Sequence, residues 1–151
     1  MEPHFYNVNI NWNQDRKGVM CSPELNEKNQ TCVDVATPPQ FPKGISGIWS
    51  PEHLFTASVS SCLMTTFLAI AENFKLEFDH FSCESKGKLD KAEKGFQMTE
   101  IILYPVVTIH DESQRELALK VLNKSEKACL ISNSIKSKIT MEPKVEVKEL
   151  A

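Results

Sequence analysis

The sequence predicts an α+β fold with a mostly antiparallel sheet, and three observations carry that expectation. Its periodic segments run strands, helix, two strands, helix, strand, the order of a sheet with helices set to one side. One stretch, Ser50 to Asn73, reads as a single long helix. Finally, 151 residues with 41% hydrophobic and 25% charged content suit one ordinary globular domain with a core of its own.

The long helix has the clearest start in the chain. Ser50 can cap the first-turn amides, Pro51 fits the first helical position where no donor is needed, and Glu52 suits the positive helix end. From Leu54 to Ala71 no residue is charged, so the helix is expected to be central and covered nearly all round. A bilayer span is disfavoured because Thr56, Ser58, Ser60, Ser61, Thr65 and Thr66 place six hydroxyls in those eighteen residues. Such small residues instead permit close backbone approach.

The other elements follow in order. His4 to Trp12 alternates apolar and polar residues, a half-buried strand. Residues 13–18 form a polar turn with Arg16 at its tip, and Val19 to Ser22 returns from it as a hairpin. A second polar turn, residues 23–30, precedes a β-branched strand from Thr31 to Ala36. Residues 37–49 mix three prolines and two glycines with Phe41, Ile45, Ile48 and Trp49, so this loop is expected to fold onto the core or line a pocket. Beyond the helix come a strand from Leu76 to Lys88, a charged turn over residues 89–95, and a long strand from Phe96 to Ile109. Pro105 removes a ladder donor there, which predicts an edge strand or a bulge. Asp111 or Ser113 then caps a second helix whose Leu117, Val121, Leu122 and Ala128 make an apolar stripe. It ends near Cys129, and a last strand spans residues 139–147 with a break at Pro143.

Composition narrows the function. A net charge of −3 without single-sign runs provides no basic patch, so no nucleic-acid partner is expected. The first residues lack a basic then apolar leader, which predicts a cytoplasmic protein. In that reducing setting five cysteines argue against a structural disulfide framework. Their spacing disfavours a structural zinc site. Cys21, Cys32 and Cys83 are read as small buried hydrophobes within strands. Cys62, inside the charge-free helix, and Cys129, at the end of the second, occupy special places. No partner can be identified for His53, His80 or His110, and none is expected to act as an acid or base.

A reactive Cys62 must exist as thiolate, which apolar burial opposes. It lies about three turns into its helix, beyond the reach of the helix dipole, so a cation is expected from elsewhere. Arg16, with Lys17 beside it, is the best candidate, and Glu52 could hold its guanidinium plane by a bidentate pair. Glu52 and Cys62 are ten residues apart on one helix, about 15 Å along its axis, so a site using both must draw them from two copies.

The run Ser50-Pro51-Glu52-His53-Leu54-Phe55 with Ser61-Cys62, followed 67 residues later by Cys129-Leu130-Ile131-Ser132-Asn133, resembles the osmotically inducible and organic hydroperoxide resistance (OsmC/Ohr) superfamily over nearly the whole chain. The resemblance implies an intertwined homodimer with sites at the interface. By position it makes Cys62 the peroxidatic thiol, Cys129 the resolving thiol, and Arg16 with Glu52 the activating pair. Gln14-Asp15 stands before Arg16 where hydroperoxide-reducing members commonly carry Gly-Gly, and Leu130 follows Cys129 where they commonly carry a proline, so the chain more closely resembles the OsmC-like branch.

The expected function is therefore a thiol-dependent peroxidase for organic hydroperoxides. It would pass through a Cys62 sulfenic acid and a Cys62–Cys129 disulfide reopened by an external dithiol reductant, with no metal, flavin or haem. Phe41, Ile48, Trp49, Phe55, Met64 and Phe67 are candidates for an apolar substrate wall. A non-enzymatic dimer that binds a small apolar ligand or senses redox state is the alternative on the same scaffold.

Overall fold

The computed structural model describes residues 1–25 and 31–148 as two compact units, residues 1–54 and 55–151. The first carries an antiparallel sheet of β1 (Asn9–Gln14), β2 (Lys17–Cys21) and β3 (Val33–Ala36), in that order. Asp15 takes a left-handed conformation, φ 48°, in the β1–β2 turn, where Trp12 Nε1 donates to its carbonyl at 3.1 Å. β1 starts later than its alternation predicts, and all six of its residues are exposed in the single chain rather than half-buried. The polar turn expected over residues 23–30 lies partly outside the described residues; its first part is a 3-10 turn, Pro23–Leu25. Residues 37–49 form the expected irregular loop, held by hydrogen bonds from Thr37 N to Arg16 O, Ile45 N to Thr37 O and Ala36 N to Trp49 O.

Cys21 and Cys32 are joined in a disulfide, which corrects their reading as free hydrophobes and the argument against disulfides. They lie directly opposite once β2 and β3 pair, a relation that appears only when the register is known.

In the second unit α1 (Pro51–Asn73, its first turn belonging to residues 1–54) continues as the expected long helix. It precedes a hairpin of β4 (His80–Ala92) and β5 (Gly95–Ile109), then α2 (Arg115–Ala128), β6 (Lys138–Met141) and β7 (Lys144–Val147). β4 runs on through the residues expected as a charged turn, because Ala92 pairs with Gly95 across a two-residue connection and Gly95 supplies φ 109°. β5 is central, not an edge: β4 pairs on one side, while β6 and β7 pair in parallel on the other. Pro105 is tolerated because the partner changes from β6 to β7 at that level, between the Leu103–Met141 and Val106–Lys144 pairs. The irregularity in the β4–β5 ladder lies elsewhere, at Lys88/Leu89.

Alternate residues of β5, Ile101, Leu103, Val107 and Ile109, are fully buried. Toward one end they meet α2 through Ala118, Val121 and Leu122, with Phe67 and Ala71 of α1. Toward the other they meet Val59 and Leu63. Leu117 is only partly buried and Ala128 is exposed, so the buried stripe of α2 is Ala118, Val121, Leu122 and Ser125. Asp111 caps the 3-10 turn before α2, accepting from Ser113 N at 2.9 Å.

α1 is not covered all round in the single chain. It buries one stripe, Val59, Leu63, Phe67 and Ala71, while Met64 and Leu68 remain 40% and 44% exposed. By length and composition it could also cross a bilayer, a test that a core helix meets as well. Ser58, Ser60, Ser61 and Thr65 each donate to the carbonyl three residues earlier, so their polarity is absorbed within the helix.

Candidate active site

Cys62 sits on α1 between the buried Val59 and Leu63, half-buried, with its sulfur 3.9 Å from Thr66 Oγ1. Cys129 stands at the C-terminal cap of α2, 1% exposed, where the chain leaves the helix with ψ 110°. The following turn is fixed by Asn133 N donating to Cys129 O, Ser134 Oγ to Leu130 O, and Asn133 Nδ2 to Lys127 O. With the helix ended, the Leu130 and Ile131 amides are available to Cys62. Both cysteines are free thiols.

The two thiols are driven apart in acidity. Burial pushes Cys62 up, but hydrogen bonds from the Cys129 thiol, the Ile131 amide, the Thr66 hydroxyl and the Leu130 amide together outweigh it and hold Cys62 below the ordinary thiol value. Cys129 is pushed up by burial and by donating to Cys62. Cys62 is thus the readier of the two thiols to give up its proton and Cys129 the more reluctant, an order that suits a nucleophile beside a second thiol that can condense with it. Cys83, also free, is pushed up by burial in β4.

Sequence reasoning sought a cation for Cys62 and missed these dipoles. The amides of residues 130 and 131 carry no side-chain signature, and their place depends on how α2 ends. Within the first unit, Arg16 is exposed at the β1–β2 turn, and Glu52 is half-buried in the first turn of α1. Lys17 pairs with Asp34 at 3.6 Å.

The expected apolar wall is divided. Ile48 and Trp49, with Gly47 and His53, line a notch of about 300 Å³; Phe41 is half-buried in the loop before it. In the second unit Phe55 packs on the Val59 and Leu63 cluster, and Met64 is exposed. Phe67 has no exposed surface to offer a substrate: it stacks on Phe81 at 4.8 Å and meets Phe78 edge-on at 5.2 Å. Two histidines have partners that the sequence hides. Nδ1 of His53 lies 2.7 Å from Oγ of the capping Ser50, and Nδ1 of His110 lies 3.0 Å from Asp79.

A central helix bearing one thiol of lowered pKa, with a second thiol of raised pKa brought to it by the end of another helix, defines a two-cysteine α+β protein. The OsmC-like protein family matches residues 44–144, and the chain belongs to that family. The uncharacterized protein YmaD of Bacillus subtilis is 26% identical over 151 residues, spanning 98% of this chain and 97% of its own length. Among solved structures, an OsmC-like protein of unknown function from Vibrio cholerae has a TM-score of 0.80 at 20% identity, over 93% of this chain and 99% of its own. An organic hydroperoxide resistance protein OsmC from Legionella pneumophila has a TM-score of 0.70 at 22% identity, over 97% and 100%. These likenesses match the α+β fold expected from the sequence.

Proposed function

We propose that the chain is a thiol-dependent peroxidase that reduces organic hydroperoxides. The observation that carries this reading is the contact between a Cys62 thiol held down by hydrogen bonds and a Cys129 thiol held up by burial. The Cys62 thiolate attacks the distal peroxide oxygen, the O–O bond breaks, and the alkoxide leaves as an alcohol after taking a proton. Cys62 is left as a sulfenic acid. The Cys129 sulfur then attacks Cys62 Sγ, its proton leaves with the hydroxyl as water, and a disulfide remains. An external dithiol restores both thiols by exchange. Each cycle moves two electrons from dithiol to peroxide and requires neither metal nor organic cofactor.

In this reading Arg16 and Glu52 form the activating pair and come from a second copy. α1 is unbroken from Pro51 to Asn73, and ten helical residues span about 15 Å. A homodimer is further supported by apolar surface that one chain leaves open: Ile10 and Trp12 on β1 are 62% and 76% exposed, and Leu68 in the uncharged stretch of α1 is 44% exposed. The Gly47, Ile48, Trp49 and His53 notch offers apolar walls suited to an organic substrate.

The test is consumption of cumene hydroperoxide in the presence of a dithiol by the parent chain, Cys62→Ser and Cys129→Ser. Turnover in the parent, none in Cys62→Ser, and a slowed reaction after the first equivalent in Cys129→Ser are expected. Equal rates in the parent and Cys62→Ser would overturn the proposal, and retained binding of apolar ligands without turnover would favour a non-enzymatic binding module.

A further inference from the structure

The Cys21–Cys32 disulfide has no part in that cycle, and its setting differs from that of a buried staple. Cys21 ends β2 and Cys32 immediately precedes β3; Met20 pairs with Val33 next to them, so the two cysteines face each other across the ladder. Their Cα atoms are 4.5 Å apart, the spacing of the narrow, non-hydrogen-bonded pair in antiparallel strands. Cys32 is exposed and Cys21 half-buried.

Two consequences follow. A thiolate from solution can approach the exposed Cys32, and access is one of the factors that govern exchange. After reduction the Lys17–Ala36 to Met20–Val33 pairs still hold the two thiols opposite each other, so the bond can close again without a conformational search.

We propose that Cys21–Cys32 is a second, reversible redox couple that exchanges with an external dithiol and sets how firmly the three-stranded sheet is held. A thiolate of the dithiol attacks Cys32 Sγ, the S–S bond breaks, and Cys21 leaves as a thiolate that takes a proton. The dithiol's other sulfur then attacks its own partner in the mixed disulfide and releases Cys32 as a thiol. Two electrons and two protons pass to the protein, and the oxidised dithiol leaves as a disulfide; the reverse sequence closes the couple.

The sheet responds because its unit has little core. Among the described residues of 1–54, Gly18, Ala36, Pro38 and Ser50 are the buried ones. Within one chain, order there depends on the ladder and the bridge more than on a core inside the unit. Opening the bridge keeps the register but makes local separation of β2 and β3 more frequent. Arg16 adjoins β2 and accepts from Thr37 N at 3.1 Å, so the couple also governs how firmly Arg16 is held. That consequence bears on the proposed peroxidase, but the couple does not depend on it.

The experiment uses a Cys62→Ser/Cys129→Ser chain, which removes the other couple and reads this one even if the peroxidase proposal fails. Protein is equilibrated at graded ratios of reduced to oxidised dithiothreitol, quenched by alkylation, and mapped at Cys21 and Cys32. Amide hydrogen exchange is then measured on the two end states. Both cysteines should become alkylated together in one transition that reverses when the ratio is reversed, with several-fold faster exchange in β2 and β3 of the reduced form. A bridge that stays closed under excess dithiol without denaturant, an irreversible opening, or unchanged exchange would overturn the proposal. The same titration on the parent chain, read peptide by peptide, gives the answer independently of how the double variant folds.

Discussion

Replacing Gly87 by alanine tests the packing of α1, the helix that carries Cys62, on β4. A Cβ at this position would overlap Thr56 Oγ1 and lie 2.7 Å from Met98 Cε. The methionine tip can move aside, but a β-branched threonine in a helix is confined to two rotamers. Either Thr56 leaves its preferred rotamer or α1 lifts from the sheet, an overpacking cost of about 1–3 kcal/mol. For a chain of this size each kcal/mol lowers Tm by about 2–4 °C. The second arm of the cycle is Thr56→Ala. It removes Oγ1 and leaves the threonine Cβ position 3.3 Å from the new methyl, a contact that a small shift relieves. Thr56→Ala alone carries its own cost, so the informative quantity is the coupling. The double variant should recover at least about 0.5 kcal/mol relative to the sum of the single changes. Urea unfolding at fixed protein concentration measures all four proteins. A neutral Gly87→Ala, or strict additivity, would refute the close approach of Thr56 to Gly87.

Other predictions test acidity, assembly and the bridge. Cys62 is pushed up by burial yet held lower overall by hydrogen bonds from Cys129, Ile131, Thr66 and Leu130, while burial raises Cys83 and Cys129. As pH rises from mildly acidic, Cys62 should therefore lose its proton first, and iodoacetamide labelling resolved by peptide mass should appear at Cys62 before the other two. Leu68→Asp places a charge on the open face of α1, and if a second copy covers that face, burying an unpaired carboxylate costs several kcal/mol. Sedimentation velocity should show dimer dissociation more than about tenfold stronger; an unchanged dissociation constant would place the interface elsewhere. The Cys21→Ser/Cys32→Ser chain should lose about 2–3 kcal/mol in oxidising buffer, the value for closing a loop of this length, read from the urea midpoint of the unit containing β1 to β3.

The parts of the fold written in local chemistry were legible in the sequence. Ser50 and Pro51 marked the start of α1 because capping needs only neighbouring residues, and Asp111 marked the turn before α2 for the same reason. Pairing was harder to read. Pro105 suggested an edge, yet β5 is central, since the relief it needs comes from the change of partner between β6 and β7, which are distant in sequence. The charged residues of the predicted 89–95 turn instead extend β4, because long charged side chains can face water from both sides of an exposed hairpin arm. The Cys21–Cys32 bridge was hidden for a related reason, as two cysteines in different strands become neighbours only through register. At the site, both thiols stood out by position, while the Leu130 and Ile131 amides, being backbone, did not.

The most direct test of the central claim is a count of free thiols on the chain as isolated, by intact mass, before and after one equivalent of an organic hydroperoxide. Cys62, Cys83 and Cys129 are free in the structure. The peroxidase account predicts that three thiols fall to one, Cys83, with Cys62 and Cys129 linked in the recovered peptides; three thiols surviving in folded protein would contradict it.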